Sequence, residues 1–207
     1  MNDFPAGHSS LYQFLYYWQT LISGVLALIA AIITIMKLSE QIQVQERQHT
    51  ETRQSKAWAA RAMLLLCLSA ISKYTSEMAL WLLDNNRERP NSPDEVIKIL
   101  VEKIEFLPAN ASKKIFEIIK QYQIMEARTR TRDRQTNDHI YEFSYLRALA
   151  DSLFEFAREE TNQVQEREPT RDNMVCALDG MLGLDRYHHQ HVYDQVLERI
   201  NRAPRHA

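Results

Sequence analysis

The chain has 207 residues, 25% of them charged, with a formal net charge of −2. That balance gives no global basic field and argues against a nucleic-acid-binding role. The two cysteines, Cys67 and Cys176, stand far apart with no CxxC spacing, which fits reduced thiols and not a disulfide framework.

The first predicted element is Phe14 to Met36, FLYYWQTLISGVLALIAAIITIM, which holds no charged residue. At about 1.5 Å per residue it spans roughly 34 Å, enough to cross a hydrocarbon core of about 30 Å. A helix satisfies its own backbone in lipid, so the run reads as a transmembrane helix. Ser23 and Thr34, the only polar residues from Leu21 onward, are expected to bond back to that helix. Tyr16, Tyr17 and Trp18, with Tyr12 nearby, mark one membrane interface, and Lys37 can snorkel to the other. A signal peptide is disfavoured, because the leader from Met1 to Gln13 carries Asp3 but no Lys or Arg, and no Ala-x-Ala site closes the run. Lys37, Arg47, Arg53 and Lys56 all follow the span, so residues 1–13 are expected outside and the C-terminal part in the cytoplasm of a plasma or inner membrane.

Residues 37–56 form a polar Gln, Glu and Arg stalk without a helix breaker. Leu38, Ile42 and Val44 do not sustain a heptad, so no coiled coil is expected here. Residues 57–202 read as a cytoplasmic helical domain and 203–207 as a tail. No glycine occurs between Gly24 and Gly180, and Pro90, Pro93, Pro108 and Pro169 fall where apolar periodicity breaks. The fold class is therefore all-α: one N-terminal transmembrane helix, a stalk, then a bundle of about five to six helices.

The helix at 57–83 places Leu64, Leu68, Ile71, Thr75, Met78 and Leu82 on one face, widened by Cys67, Tyr74 and Trp81. Its longest uncharged run, Ala62 to Ser72, covers only roughly 16 Å, too short for a second crossing. Ser92, Pro93, Asp94 and Glu95 predict the N-terminus of a helix reaching Leu107, with Ser92 as N-cap, Pro93 in the first turn and Glu95 reaching back. Further helices are expected over 111–128, 139–160, 170–182 and 185–201. Thr170 and Asp185 are predicted N-caps, and Gly183 a C-terminal cap.

The run YWQTLISGVLALIAA, the polar stalk and KAWAARAMLLL together resemble small bacterial inner-membrane proteins that carry no assigned activity. The likeness covers the first third of the chain and implies a location, not a catalytic residue.

Three constellations carry candidate chemistry. His188, His189 and His191 share helical spacing with Asp185 and Asp194, and imidazole with carboxylate can bind zinc, although no further ligand pair is evident. Arg128, Arg130, Arg132 and Arg134 alternate with polar residues and are candidates for contact with anionic lipid. Thr20, Gly24, Ala27 and Ala31, continued by Thr34, form a small-residue stripe suited to self-association in lipid. No catalytic set and no cofactor is expected. The expected role is interaction or structure at the cytoplasmic membrane face, with the bilayer and an unidentified protein as partners. The alternatives are a metal-dependent enzyme using the histidines and a membrane-acting protein of phage or toxin type.

Overall fold

The structure, a computed structural model, describes residues 10–84, 86–131, 136–164 and 168–202. It is all-helical, with no strand among the described residues. The chain divides into two units, Met1–Arg53 and Gln54–Ala207.

A single helix, α1, covers Ser10–Leu83 without interruption. The sequence gives it no reason to stop, since its only glycine is Gly24 and it contains no proline. Within the first unit its side chains from Leu21 to Thr52 are exposed.

The second unit has its own core. Leu64, Cys67, Leu68, Ile71 and Met78 of α1 are buried there, as the 4-3 spacing predicts, and Thr75 joins them with its hydroxyl donated to the Ser72 carbonyl at 2.8 Å. Trp81 and Leu82 are half-buried at its margin. The following helices are α2 (Asp94–Lys103), α3 (Ala109–Thr131), α4 (Thr136–Asp151), α5 (Phe154–Ala157), α6 (Arg171–Leu182) and α7 (Gln190–Arg202). Helix α4 lies against α3, α6 and α7. This position explains its composition: Ile140, Phe143, Leu146, Leu149 and Ala150 are all buried, leaving it little polar surface. Ile115, Ile118, Ile119, Tyr122 and Met125 supply the buried stripe of α3.

Several boundaries differ from expectation for physical reasons. Ser92 is not an N-cap: Pro93 occupies that place, and the Ser92 hydroxyl instead donates to Asp94 Oδ1 at 2.8 Å and meets the Tyr122 hydroxyl. Glu95 does not reach back but pairs with Lys98 at 2.6 Å. Helix α2 ends at Lys103, and Ile104–Phe106 tightens into a 3₁₀ turn. The continuous helix expected over 139–160 breaks after Asp151, where the Ser152 hydroxyl takes the Leu149 carbonyl at 2.7 Å. Helix α3 runs on through Thr131, past the end expected at residue 128. Asp185 is not a cap either, because Gly183–Tyr187 is itself a 3₁₀ helix and α7 starts only at Gln190.

Two other caps follow the sequence. The Thr170 hydroxyl accepts from the Asn173 amide, and Asn173 reciprocates in a capping box. Gly183 closes α6 at φ +52°, with its N–H donated to the Asp179 carbonyl. Helix α5 closes differently. Glu159 takes φ +67° while its amide donates to Phe156 O and that of Glu160 to Glu155 O, a Schellman arrangement with glutamate where glycine is usual.

These two positions give opposite predictions. A methyl group on Gly183 would meet nothing within 4 Å, so Gly183→Ala tests backbone strain alone and is expected to cost about 1–2 kcal/mol in denaturant unfolding. Glu159→Gly is expected to leave stability unchanged or raise it by up to about 1 kcal/mol.

Candidate functional site

The apolar segment of α1 is built from side chains that the first unit leaves uncovered. Tyr16 and Tyr17 are exposed, with ring centroids 6.5 Å apart in an edge-on arrangement, and Trp18 is exposed beside them. Nine Leu, Ile and Val side chains from Leu21 to Ile35 are exposed. The Ser23 hydroxyl donates to the Gln19 carbonyl at 2.7 Å and that of Thr34 to the Ala30 carbonyl at 2.8 Å, so both are satisfied within the helix. Lys37 pairs with Glu40 at 2.9 Å. Helix α1 is long and apolar enough to cross a membrane, and none of its most apolar window is buried. Gly24, Ala27 and Ala31 are exposed on it; the side chain of Thr20 and residues 1–9 of the leader lie outside the described set.

The arginine run separates into unlike parts. Arg128 belongs to α3 and pairs with Glu142, a carboxylate whose side chain is only 8% exposed. Its charge serves an α3–α4 contact, and α3 continues as helix to Thr131. The side chain of Arg130, and residues Arg132 and Arg134, lie outside the described residues.

The histidines do not converge. His188 and His189 donate backbone amides to the Asp185 carbonyl, at 3.0 and 3.2 Å. His191 is exposed with Nε2 2.8 Å from the Gln195 amide, and Asp194 accepts from Gln190 at 2.8 Å. Among the described residues no group of three His, Cys, Asp or Glu side chains could hold a metal ion. Open depressions beside Gln43, Glu46 and Thr50 are walled by one exposed helix and would enclose no small ligand.

Sequence periodicity missed the polar side chains that organise the domain. Arg61 donates to the Phe156 and Thr161 carbonyls and, at 3.0 Å, to Asn162 Oδ1, while its guanidinium lies 4.3 Å from the Phe156 ring centroid. It ties α1 to the chain beyond α5. Arg147 donates to the Ser72 carbonyl at 2.9 Å and to Asp151 at 3.1 Å, joining α4 to α1. Burial pushes the Asp151 carboxyl up, and Arg147 opposes that shift. Tyr74 donates to Glu126, which also receives Arg89 at 3.1 Å, and the Arg89 guanidinium lies 5.7 Å from the Trp81 ring centroid. Tyr122 donates to Asp94 at 2.8 Å, and its ring stands 6.0 Å from that of Tyr74. Lys114 is buried; burial lowers its pKa, and Glu117 and Glu168 push it back up. The available signal was position: Arg61 and Arg147 flank buried stripes at helical spacing.

Comparison with known proteins finds no matching family model, no similar curated protein and no similar solved structure.

Two measurements follow. Arg61→Ala removes three hydrogen bonds from a charged donor and is expected to cost about 2–3 kcal/mol. Amide exchange should accelerate first at residues 156–162, and Arg61→Lys should recover only part of the loss. The second concerns alkaline pH. Burial, reinforced by Asp94, raises Tyr122 to about 12, and burial with Glu168 and Glu117 raises Tyr145 to about 12. An unfolded tyrosine ionises near about 10. The folded state therefore keeps protons that the unfolded state loses. This contribution is complete below pH about 10 and is lost as the pH rises through about 12. Phenolate absorbance from these residues should appear together with loss of helical circular dichroism, and Tyr145→Phe should move that alkaline transition to higher pH.

Proposed function

We propose that this protein is anchored in a membrane by residues 14–36 and that its helical domain acts as an interaction or structural module at the cytoplasmic face. The observation that carries the reading is the uncovered apolar surface from Leu21 to Ile35. A fully exposed Leu, Ile or Val forgoes about 1.5–3 kcal/mol relative to burial. The nine here are 46–67% exposed, so together they forgo about half of the full sum, about 7–14 kcal/mol, which rivals the stability of an ordinary domain, about 5–15 kcal/mol. Lipid removes that cost, and the internal bonding of Ser23 and Thr34 leaves no side-chain hydroxyl to desolvate.

Orientation follows from the Lys and Arg distribution, with Lys37, Arg47, Arg53 and Lys56 after the span. The module reading is supported by how the domain spends its polar groups. Arg61, Arg147, Glu126 and Glu142 each bond across to another helix or segment. The likeness to small bacterial inner-membrane proteins is consistent with such a place, and it adds no catalytic residue.

The full chain is expected to stay with membranes through an alkaline carbonate wash; release of most of it would overturn the anchor. Topology is read by thiol labelling. Cys176 is exposed and Cys67 buried, so Cys176 should react readily once cells are opened. In intact cells an impermeant reagent should label an introduced Ser9→Cys and spare Cys176. Labelling of Cys176 while a cytoplasmic marker stays unlabelled would reverse the orientation.

A further inference from the structure

In the second unit, α1 is two-faced. Ala60, Leu64, Cys67, Leu68 and Ile71 are buried in the domain core. The opposite face carries Ala59, Ala62, Leu66 and Ser69 in steps of three, four and three residues, all exposed, with Leu66 at 64%. Trp58, 60% exposed, borders it. The Ser69 hydroxyl donates to its own helix, at the Leu65 carbonyl, 2.8 Å away. The face is thus uncharged, small or apolar, and free of unspent side-chain donors until Lys73.

Counted along the sequence, this register does not begin at Ala59. The same alternation of three- and four-residue steps, followed back to Gly24, meets Ser55, Thr52, Gln48, Gln45, Gln41, Leu38, Thr34, Ala31 and Ala27 and no charged side chain, although Lys37–Lys56 is densely charged. In heptad terms these are the a and d positions. Leu38 falls on the seam, and Ile42 and Val44 fall at the e and g positions beside it. The apolar heptad is absent, but an uncharged one is present.

We infer that the partner of this face is a second copy of the chain, aligned parallel, with Ala59, Ala62, Leu66 and Ser69 of each copy meeting their own counterparts. Charge selects this occupant. In a parallel pair a g residue faces the e residue five positions on in its partner, which sets Glu51 of one copy against Lys56 of the other. The Lys56 ammonium also lies 5.2 Å from its own Phe106 ring centroid, a contact on the flank of the seam. An antiparallel copy would lose the identity of layers. The inference rests on the anchored reading for the parallel orientation, since copies held in one membrane share a direction. Small side chains at 59 and 62 allow close approach of the two helices, and Leu66 supplies the one large apolar knob.

The test uses the full chain in its own membranes, with Cys176→Ala as background and a mild oxidant. Counterpart residues of a d layer lie about 6 Å apart at Cα, within disulfide reach. Ala62→Cys and Ser69→Cys should form dimers of twice the chain mass, several-fold above Glu95→Cys, an exposed position on α2. Leu66→Lys added to Ser69→Cys should lower that yield several-fold while the helical circular dichroism is kept. Equal yields at 62, 69 and 95, a crosslinked species of any other mass, or indifference to Leu66→Lys would overturn the inference. Carbonate washing of the same samples separates the two readings. Protein retained in membranes without seam crosslinks overturns the pairing alone. Protein released by the wash overturns the anchor, and seam crosslinks in that released fraction still uphold the pair.

Discussion

An apolar helical surface that the described residues of its own unit leave uncovered is the constraint from which the rest of this molecule follows. Residues 21–35 hold nine exposed Leu, Ile and Val side chains, and their only polar groups are bonded inward. Between 64 and 78 the same helix buries Leu64, Leu68, Ile71 and Met78. The difference is composition on the remaining faces. From Lys37 onward charges interrupt the apolar run, so a stripe remains where the earlier segment was apolar all round.

The domain formed by Gln54–Ala207 uses α4 as its centre, and so its specificity rests on groups that periodicity does not describe. Arg147 reaches a helix-interior carbonyl at Ser72 that also accepts from Thr75 and Ser76. Glu126 gathers a tyrosine and an arginine from two other segments. Such contacts discriminate one helix arrangement from others of equal apolar burial, because each mismatch would strand a buried charge.

Fold class and most of the core were legible in the sequence because burial follows the 3.6-residue period. Ile115, Ile118, Tyr122 and Met125 on α3, and Ile140, Phe143, Leu146 and Leu153 around α4, are all buried as their spacing predicts. Helix ends were less legible, since they depend on which donor wins a local competition. Ser92 had two suitors, the amide of its own helix and the Asp94–Tyr122 pair, and Tyr122 of that pair comes from α3, 30 residues on. The helix end at Asp151 coincides with a Ser152 hydroxyl on the i−3 carbonyl of Leu149, whereas Ser69 and Ser144, on the i−4 carbonyls of Leu65 and Ile140, stand inside unbroken helices. Of the candidate site, the exposed apolar segment of α1 was legible as an unbroken apolar run. The fate of Arg128 was not, because its partner Glu142 comes from the next helix. The histidines near 188 looked like a cluster only on an ideal helix; a 3₁₀ turn at Gly183–Tyr187 removes that phase.

The inward bonding of Ser23 and Thr34 has a consequence for how the apolar segment discriminates among neighbours. With both hydroxyls committed to Gln19 and Ala30, what it presents is a relief in hydrocarbon: ridges at Leu26, Ile29 and Ile33, hollows at Gly24, Ala27 and Ala31. Selection by such a surface is a matter of fit. It carries no proton to gain or lose and no charge for salt to screen, so its preferences should be indifferent to pH and ionic strength and sensitive to a single methyl group.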